Sequence, residues 1–311
     1  MMKKYNFLIM LVITAMGLFA QNNEHSFSLG VSLGLLGGQS EEIVYRNSKS
    51  GYMLSQLLWD MKPLTYAGVE VHYNWQNPAN KWGLFTDAFF KFGIPGNTGI
   101  MEDRDWMFGT YPDWLTHYSV HDNRTQKAML IDINAGASFK IFEKFLIKPF
   151  LSYSYMNFSW AASGGSFLYP DEDGDHFYLI TDTDVITYEQ TWNIISIGVS
   201  FYGAFNRYFD VDISIKLSPL IWCTAVDNHI SRNIIFVDSM FSGFFFEPGL
   251  LFSFTPNDFF KLSLSVKYRN ISGARGNAKI EGEQAVYYNI GGAGYSVFDI
   301  GLVATFTALK F

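Results

Sequence analysis

Several segments of this chain alternate strictly between apolar residues and small or polar ones, and the second face carries charge. In Phe27-Ser28-Leu29-Gly30-Val31-Ser32-Leu33-Gly34-Leu35 every odd residue is apolar, and the pattern recurs in Val69–Trp75, Ile131–Ala135 and Phe260–Tyr268. Successive side chains of a strand point to opposite faces, so one face of each segment can meet lipid while the other lines a wet interior. Glu70, Asp132 and Lys267 fall on the second face, where a dry sandwich core would leave them without solvation. A soluble sandwich or lipocalin-like exported barrel is the alternative, but it needs polar outer faces on many strands.

The rest of the chain agrees with a transmembrane barrel. Phe7 to Phe19 is free of charge and follows Lys3 and Lys4, with Ala20 as a plausible cleavage point. This run is too short to span a bilayer as a helix, so residues 1–20 read as a secretory signal and 21–311 as one barrel domain. No cysteine near the signal suggests a lipoprotein anchor, and no later apolar run is long enough for a membrane helix. Aromatic residues make up 18% of the chain and charged residues only 16%, against about 25% charged in ordinary soluble domains.

Short breaks at 76–81, 141–144, 203–207 and 255–258 alternate with longer polar stretches near 46–51, 107–120, 166–184, 229–233 and 275–292. Short turns on one side and long loops on the other predict a ten-stranded antiparallel barrel with both termini on the periplasmic side. The net charge of −7 argues against a nucleic-acid surface and suits cationic substrates. Cys223 is the only cysteine, which excludes an intrachain disulfide; nothing in the counts suggests a structural zinc site.

Strand parity then brings chemistry together. Strand three, from Trp82 to about Trp106, and strand seven, from about Tyr208 to His229, both run outward and end at the extracellular rim. There lie two pairs at i, i+2 spacing, Asp103 with Asp105 and Asp227 with His229, each able to aim two side chains into the mouth. Glu42, high on strand one, is level with them. The arrangement suits hydrolysis by an activated water: His229 as general base, Asp227 orienting the ring and favouring the imidazolium, Asp103 and Asp105 holding the water from the opposite wall. Two close carboxylates repel, so one is expected to hold a proton at neutral pH. The bland readings are a solvated loop, polar rim surface, or a divalent-cation site.

Other residues invite competing readings. Ser119 and His121 suggest a serine hydrolase, but no nucleophile elbow is visible, and His121 can instead help bind substrate. Cys223 is six residues along a strand from His229, about 20 Å away, too far for a cysteine protease pair. His72 reads as lumenal and structural, and Tyr73, Trp75 and Trp82 as a periplasmic-side aromatic girdle.

At these residues the sequence resembles the omptin family of outer-membrane proteases. The matching segments run in order: Ser32-Leu33-Gly34, Glu41-Glu42-Ile43-Val44-Tyr45, Leu54-Ser55-Gln56-Leu57-Leu58-Trp59, Met101-Glu102-Asp103-Arg104-Asp105-Trp106-Met107, Ser163-Gly164-Gly165-Ser166 and Asp227-Asn228-His229. The closing strand Val303–Phe311, with its terminal aromatic, is similar to the recognition signal of outer-membrane barrels. The resemblance implies an endopeptidase in the outer membrane, its active site facing outward, acting on polypeptides at the cell surface without cofactor or catalytic metal. It also implies a first specificity pocket containing Glu42, with Met101 in its wall and Ala225 where the family carries a second acid. Loss of that carboxylate predicts a weakened or shifted preference for basic residues. Asn157 and Thr191 stand where the family holds lipopolysaccharide with arginines, which puts dependence on that lipid in doubt. The second class of function is a non-enzymatic barrel, an adhesin or structural protein on the same scaffold.

Overall fold

Paired backbone is the only extended structure that lipid tolerates, and the pairing here closes on itself. The computed structural model describes residues 24–49, 51–77, 81–107, 114–171, 174–179 and 183–310; the signal expected at 1–20 and the terminal Phe311 lie outside them. Thirteen strands are described: β1 (Glu24–Tyr45), β2 (Met53–Asn77), β3 (Trp82–Gly93), β4 (Gly96–Asp105), β5 (His117–Phe142), β6 (Phe145–Asp171), β7 (Gly174–Leu179), β8 (Asp184–Ala204), β9 (Phe209–His229), β10 (Ile234–Met240), β11 (Phe244–Asn257), β12 (Phe260–Ile280) and β13 (Tyr287–Lys310). All described pairings are antiparallel, and β1 pairs with both β2 and β13, which closes the ring.

Two staves of this barrel are interrupted. β3 and β4 both lie between β2 and β5, one below the other, and β10 and β11 do the same between β9 and β12. β7 pairs only with β6, as a hairpin rising from the mouth. The thirteen strands therefore form ten staves. Strands also extend into stretches whose polarity reads as loop: β6 reaches Asp171 and β12 reaches Ile280. The reason is that above the lipid both faces of a strand are wetted, so the apolar alternation that marks a strand disappears.

The lipid-facing belt is visible in exposed apolar side chains: Leu29, Val31, Leu33 and Leu35 on β1, Phe298, Ile300 and Leu302 on β13, Ile195 and Ile197 on β8. Above it the outward residues turn polar, as with Glu102 and Arg104 on β4 and Asp122 and Arg124 on β5. The lumen is filled rather than open. Lys216 on β9, Glu247 on β11 and Arg269 on β12 are neighbours on one wall, and the two cations cross the lumen to Asp132 on β5, with Lys216 Nζ 2.9 Å from Glu247 and Arg269 Nη2 2.8 Å from Asp132. Below this network a cavity of about 470 Å³ occupies the short-turn end.

Bulges reset which residues face inward between belt and mouth. On β2, Leu64 and Tyr66 are buried, but above the register shift at Lys62 and Pro63 the buried residues are Leu57, Trp59 and Met61. On β9 the shift at Ser218 and Pro219 takes the lumenal face from Lys216 to Ile221, Cys223, Ala225 and Asp227. Proline has no N–H to give the ladder, so it sits well where pairing lapses. On β5 the extra residue is Gln126, which turns Ser119, His121 and Asn123 inward. A bulge adds one residue to one strand and so swaps its faces.

Leu33 is 65% exposed at the middle of the apolar belt. Leu33→Arg is expected to cost about 2–4 kcal/mol of folding stability in vesicles, read by reversible denaturant unfolding, whereas a lumen-facing Ser32→Ala change should cost far less.

Candidate active site

Strand register places the two sequence-predicted pairs on opposite walls. Asp103 and Asp105 end β4, where β2 and β5 hold them: Asp103 lies opposite Leu57 and Ser119, Asp105 opposite Ser55 and His117. Asp227 and His229 end β9, opposite Tyr188 and Ile186 of β8 and Phe236 and Ile234 of β10. Three staves lie between the pairs one way round the ring of ten and five the other, so they face each other across the mouth. Glu42 on β1 lies seven residues beyond Leu35, roughly 20 Å along the strand, which sets the site above the lipid belt.

The geometry within each pair is specific. His229 Nε2 is 2.6 Å from Asp227 Oδ2, so Nε2 carries the proton toward the carboxylate and Nδ1 is the free base. Phe236 presents its ring to the His229 imidazole at 5.6 Å, edge on. Burial lowers the tendency of His229 to ionise, but the hydrogen bond and charge of Asp227 outweigh it and raise its pKa. Asp103 is pushed up to about 7 by burial and then by Asp105. Burial also raises Asp105, against a hydrogen bond from Ser55. One proton is therefore held near the Asp103–Asp105 pair at neutral pH, as the repulsion of two close carboxylates requires. Asp103 is influenced by His229 and Asp227 as well, which marks the four groups as one electrostatic unit.

Beneath the four lies an aromatic floor that parity alone did not reveal. Trp59 of β2 stacks on Tyr188 of β8 at 5.5 Å, and Trp160 of β6 lies 6.0 Å from both rings. Phe158 of β6 reaches Tyr295 on β13 at 5.4 Å. These contacts cross the lumen and seal the site from below, and the low dielectric they supply strengthens every charge above them. Met101 is fully buried here, two residues below Asp103.

Ser119 and His121 do meet. His121 Nε2 is 2.9 Å from Ser119 Oγ, and its Nδ1 is 2.7 Å from the Gly164 carbonyl. That carbonyl can only accept, so Nδ1 carries the proton and Nε2 accepts from the serine. Burial lowers the His121 pKa, leaving a neutral ring that fixes Ser119 beside Asp103. Cys223 is buried and reduced. Two further residues escaped the sequence reading: Asp238 on β10, opposite Ala225, and Arg232, which donates to Tyr169 and acts on Asp103 and Asp105. Only Asp238 left a trace in the sequence, as an acid inside the apolar run Ile234–Met240. Among the described residues no group of three or more His, Cys, Asp or Glu side chains has metal-ligating geometry.

In the folded protein His229 should titrate above its ordinary 6.5, and Asp227→Asn should move that midpoint down by removing the carboxylate charge. Imidazole carbon shifts followed by NMR across pH decide this; an unmoved midpoint would break the assigned pairing.

The sequence model described as the Omptin family matches residues 23–306. The plasminogen activator of Yersinia pestis is 25% identical over 213 residues, 68% of this chain and 65% of its own length. Outer membrane protease OmpP of Escherichia coli is 27% identical over 213 residues, 67% of this chain and 66% of its own. The chain thus aligns with just under two thirds of the length of these curated relatives. In fold, it is similar to the crystal structure of outer membrane protease OmpT from Escherichia coli, with a TM-score of 0.79 and 20% identity over 91% of this chain and 96% of that one.

Proposed function

The chain belongs to the omptin family, and from that premise we propose that it is an outer-membrane endopeptidase whose water is activated by His229 with Asp227, opposite Asp103 and Asp105. The observation that carries the reading is the 2.6 Å contact between His229 Nε2 and Asp227 Oδ2, which leaves Nδ1 as the unprotonated base on a ring within electrostatic reach of Asp103. The Asp103–Asp105 pair, holding a shared proton, can both accept from and donate to a water. His229 takes the second proton of that water as it attacks the scissile carbonyl; Asp227 favours the imidazolium formed. The imidazolium then supplies a proton to the leaving amine. The names of the relatives, outer membrane protease and plasminogen activator, support polypeptides as the substrate class and the cell surface as the place of action.

The base form of His229 exists above its raised pKa, so activity rises with pH through a midpoint above 6.5. Refolded barrel incubated with a mixed peptide library should cleave it, with kcat/KM climbing over that range. His229→Ala should lose about 10²–10⁴ of the rate, the usual contribution of a general base. Mass spectrometry that finds no cleavage by the wild type, with or without lipopolysaccharide, would leave a binding protein on the same scaffold.

Lipid requirement follows from the outer wall. Asn157 Nδ2 donates to Glu189 at 2.7 Å and to Thr191 at 2.8 Å. A carboxylate thus occupies the patch where a phosphate would need a cation, and neither Asn157 nor Thr191 offers a charged fork. Activity in detergent should be independent of added lipopolysaccharide; a strict requirement for it would overturn this part of the reading.

A further inference from the structure

Beside the water-activating groups, the mouth holds a second acidic cluster that those steps do not use. Glu42 on β1 and Asp238 on β10 are 3% and 5% exposed, and each has a buried carboxylate oxygen, Oε2 and Oδ1, with no hydrogen-bond partner. Neither has an ion-pair partner among the described residues. Buried, unpaired carboxylates are costly, and folded proteins retain them where something else completes the site.

The surroundings leave room for it. Asp238 lies opposite Ala225 on β9 and Ala278 on β12, and Glu42 lies opposite Ala293 on β13. Small side chains thus flank Asp238 on both sides and Glu42 on its β13 side, with Leu57 of β2 on the other. Asp238 also leans across β12 onto β13, in the direction of β1: a Cβ added at Gly291 would fall 2.6 Å from its Oδ2. Gly291 and Ala293 belong to the stretch of β13 that pairs with β1 between Glu42 and Val44. Side-chain absence at Gly291 is therefore what lets Asp238 converge on Glu42. Tyr188 and Cys223 close the cluster from β8 and β9, within electrostatic reach of Asp238.

We infer that Asp238 and Glu42 together form a pocket for a cationic side chain of the substrate, with Asp238 as a specificity-determining residue. This rests on the endopeptidase reading above. It revises the expectation from Ala225, because the carboxylate missing from β9 is supplied by its neighbour β10, one ladder rung across. A Lys or Arg side chain entering over Ala225 would give both orphan oxygens a charged donor.

Recognition is then coupled to protonation. The groups facing Asp238 are Glu42, Asp227, Tyr188 and Cys223, with no ionisable group on the flanking Ala278 and Gly291. Burial and then Asp227 push Asp238 up to about 7; burial, Asp227, Asp238 and Asp103 hold Glu42 well above the carboxylate range. The empty pocket keeps protons near neutrality and must release one when a cation enters. Affinity for a cation accordingly rises with pH through about 7, and below that the pocket is neutral and favours uncharged side chains.

Agmatine, a guanidinium probe, tests the pocket without catalysis. Calorimetric titration of the refolded barrel in two buffers of different ionisation enthalpy should show proton release, with affinity rising about tenfold per pH unit on the acid side of 7 if one proton leaves. Asp238→Asn should weaken binding about ten- to a hundredfold, as loss of a charge-assisted bond does, and flatten the pH dependence. Gly291→Ala should weaken it too, through an Asp238 left in place. The peptide library read at pH 6 and pH 8 should shift toward basic residues at the higher pH in the wild type only. Cleavage with an unchanged preference in Asp238→Asn, together with pH-independent agmatine binding, overturns the inference and leaves the endopeptidase standing. Agmatine binding that depends on Asp238 without cleavage supports the pocket and removes the protease reading instead.

Discussion

Everything in this protein depends on the ladder between β1 and β13. A backbone amide in hydrocarbon has no water to fall back on, so an open sheet edge is not an available structure there. Register from Phe27 with Leu309 up to Val44 with Gly291 closes the ring. Closure in turn creates an interior whose inward residues must be satisfied or filled. The chain meets that demand in two layers, ions below and aromatics above. Asp132, Lys216, Glu247 and Arg269 neutralise one another across the lumen. Trp59, Trp160 and Tyr188 then cross it again with apolar surface.

The filled lumen gives the mouth its chemistry. Carboxylates over an aromatic floor are poorly solvated from below, so Asp103 and Asp238 hold protons up to about 7. The same desolvation would depress His229, yet Asp227 more than cancels it. Acids that retain protons are thereby set beside a histidine that attracts one. Groups that can hold or release a proton near the working pH favour proton transfer to and from a bound water. A rigid strand ladder holds the groups where flexible loops could not.

Much of this was legible in the sequence, and the limits have physical causes. The alternation Phe27–Leu35 with charge on the second face of Val69–Trp75 favoured a membrane barrel wall over a sandwich. The i, i+2 pairs Asp103/Asp105 and Asp227/His229 were readable because both members of each pair lie above their strand's break, so no break intervenes. The interruptions at Pro95 and around Phe241–Gly243 were not readable, since each stave continues in the same place after the break. Asp238 was hidden because the acid of interest sits on a neighbouring strand. Pairing across a ladder is set by register, and a single sequence carries no register between strands until the turns that connect them are fixed. The aromatic floor was hidden for a related reason: Trp59 and Tyr188 meet through the lumen, not along any strand.

Bulges explain how one chain can turn one face to lipid below and the other to the mouth above. If alternation ran unbroken from the belt to the mouth, the residues at Trp59, His121 and Asp227 would be committed to the wrong side by the apolar pattern below them. The shifts at Lys62 and Pro63, at Gln126, and at Ser218 and Pro219 swap the faces once on three staves that meet the site. Each swap costs local hydrogen bonding but falls near the upper edge of the belt, where water is available to replace it. The lower half, which meets lipid, and the upper half, which lines the mouth, can then vary independently. That independence lets a position such as Ala225 change while the wall beneath it stays as the bilayer requires.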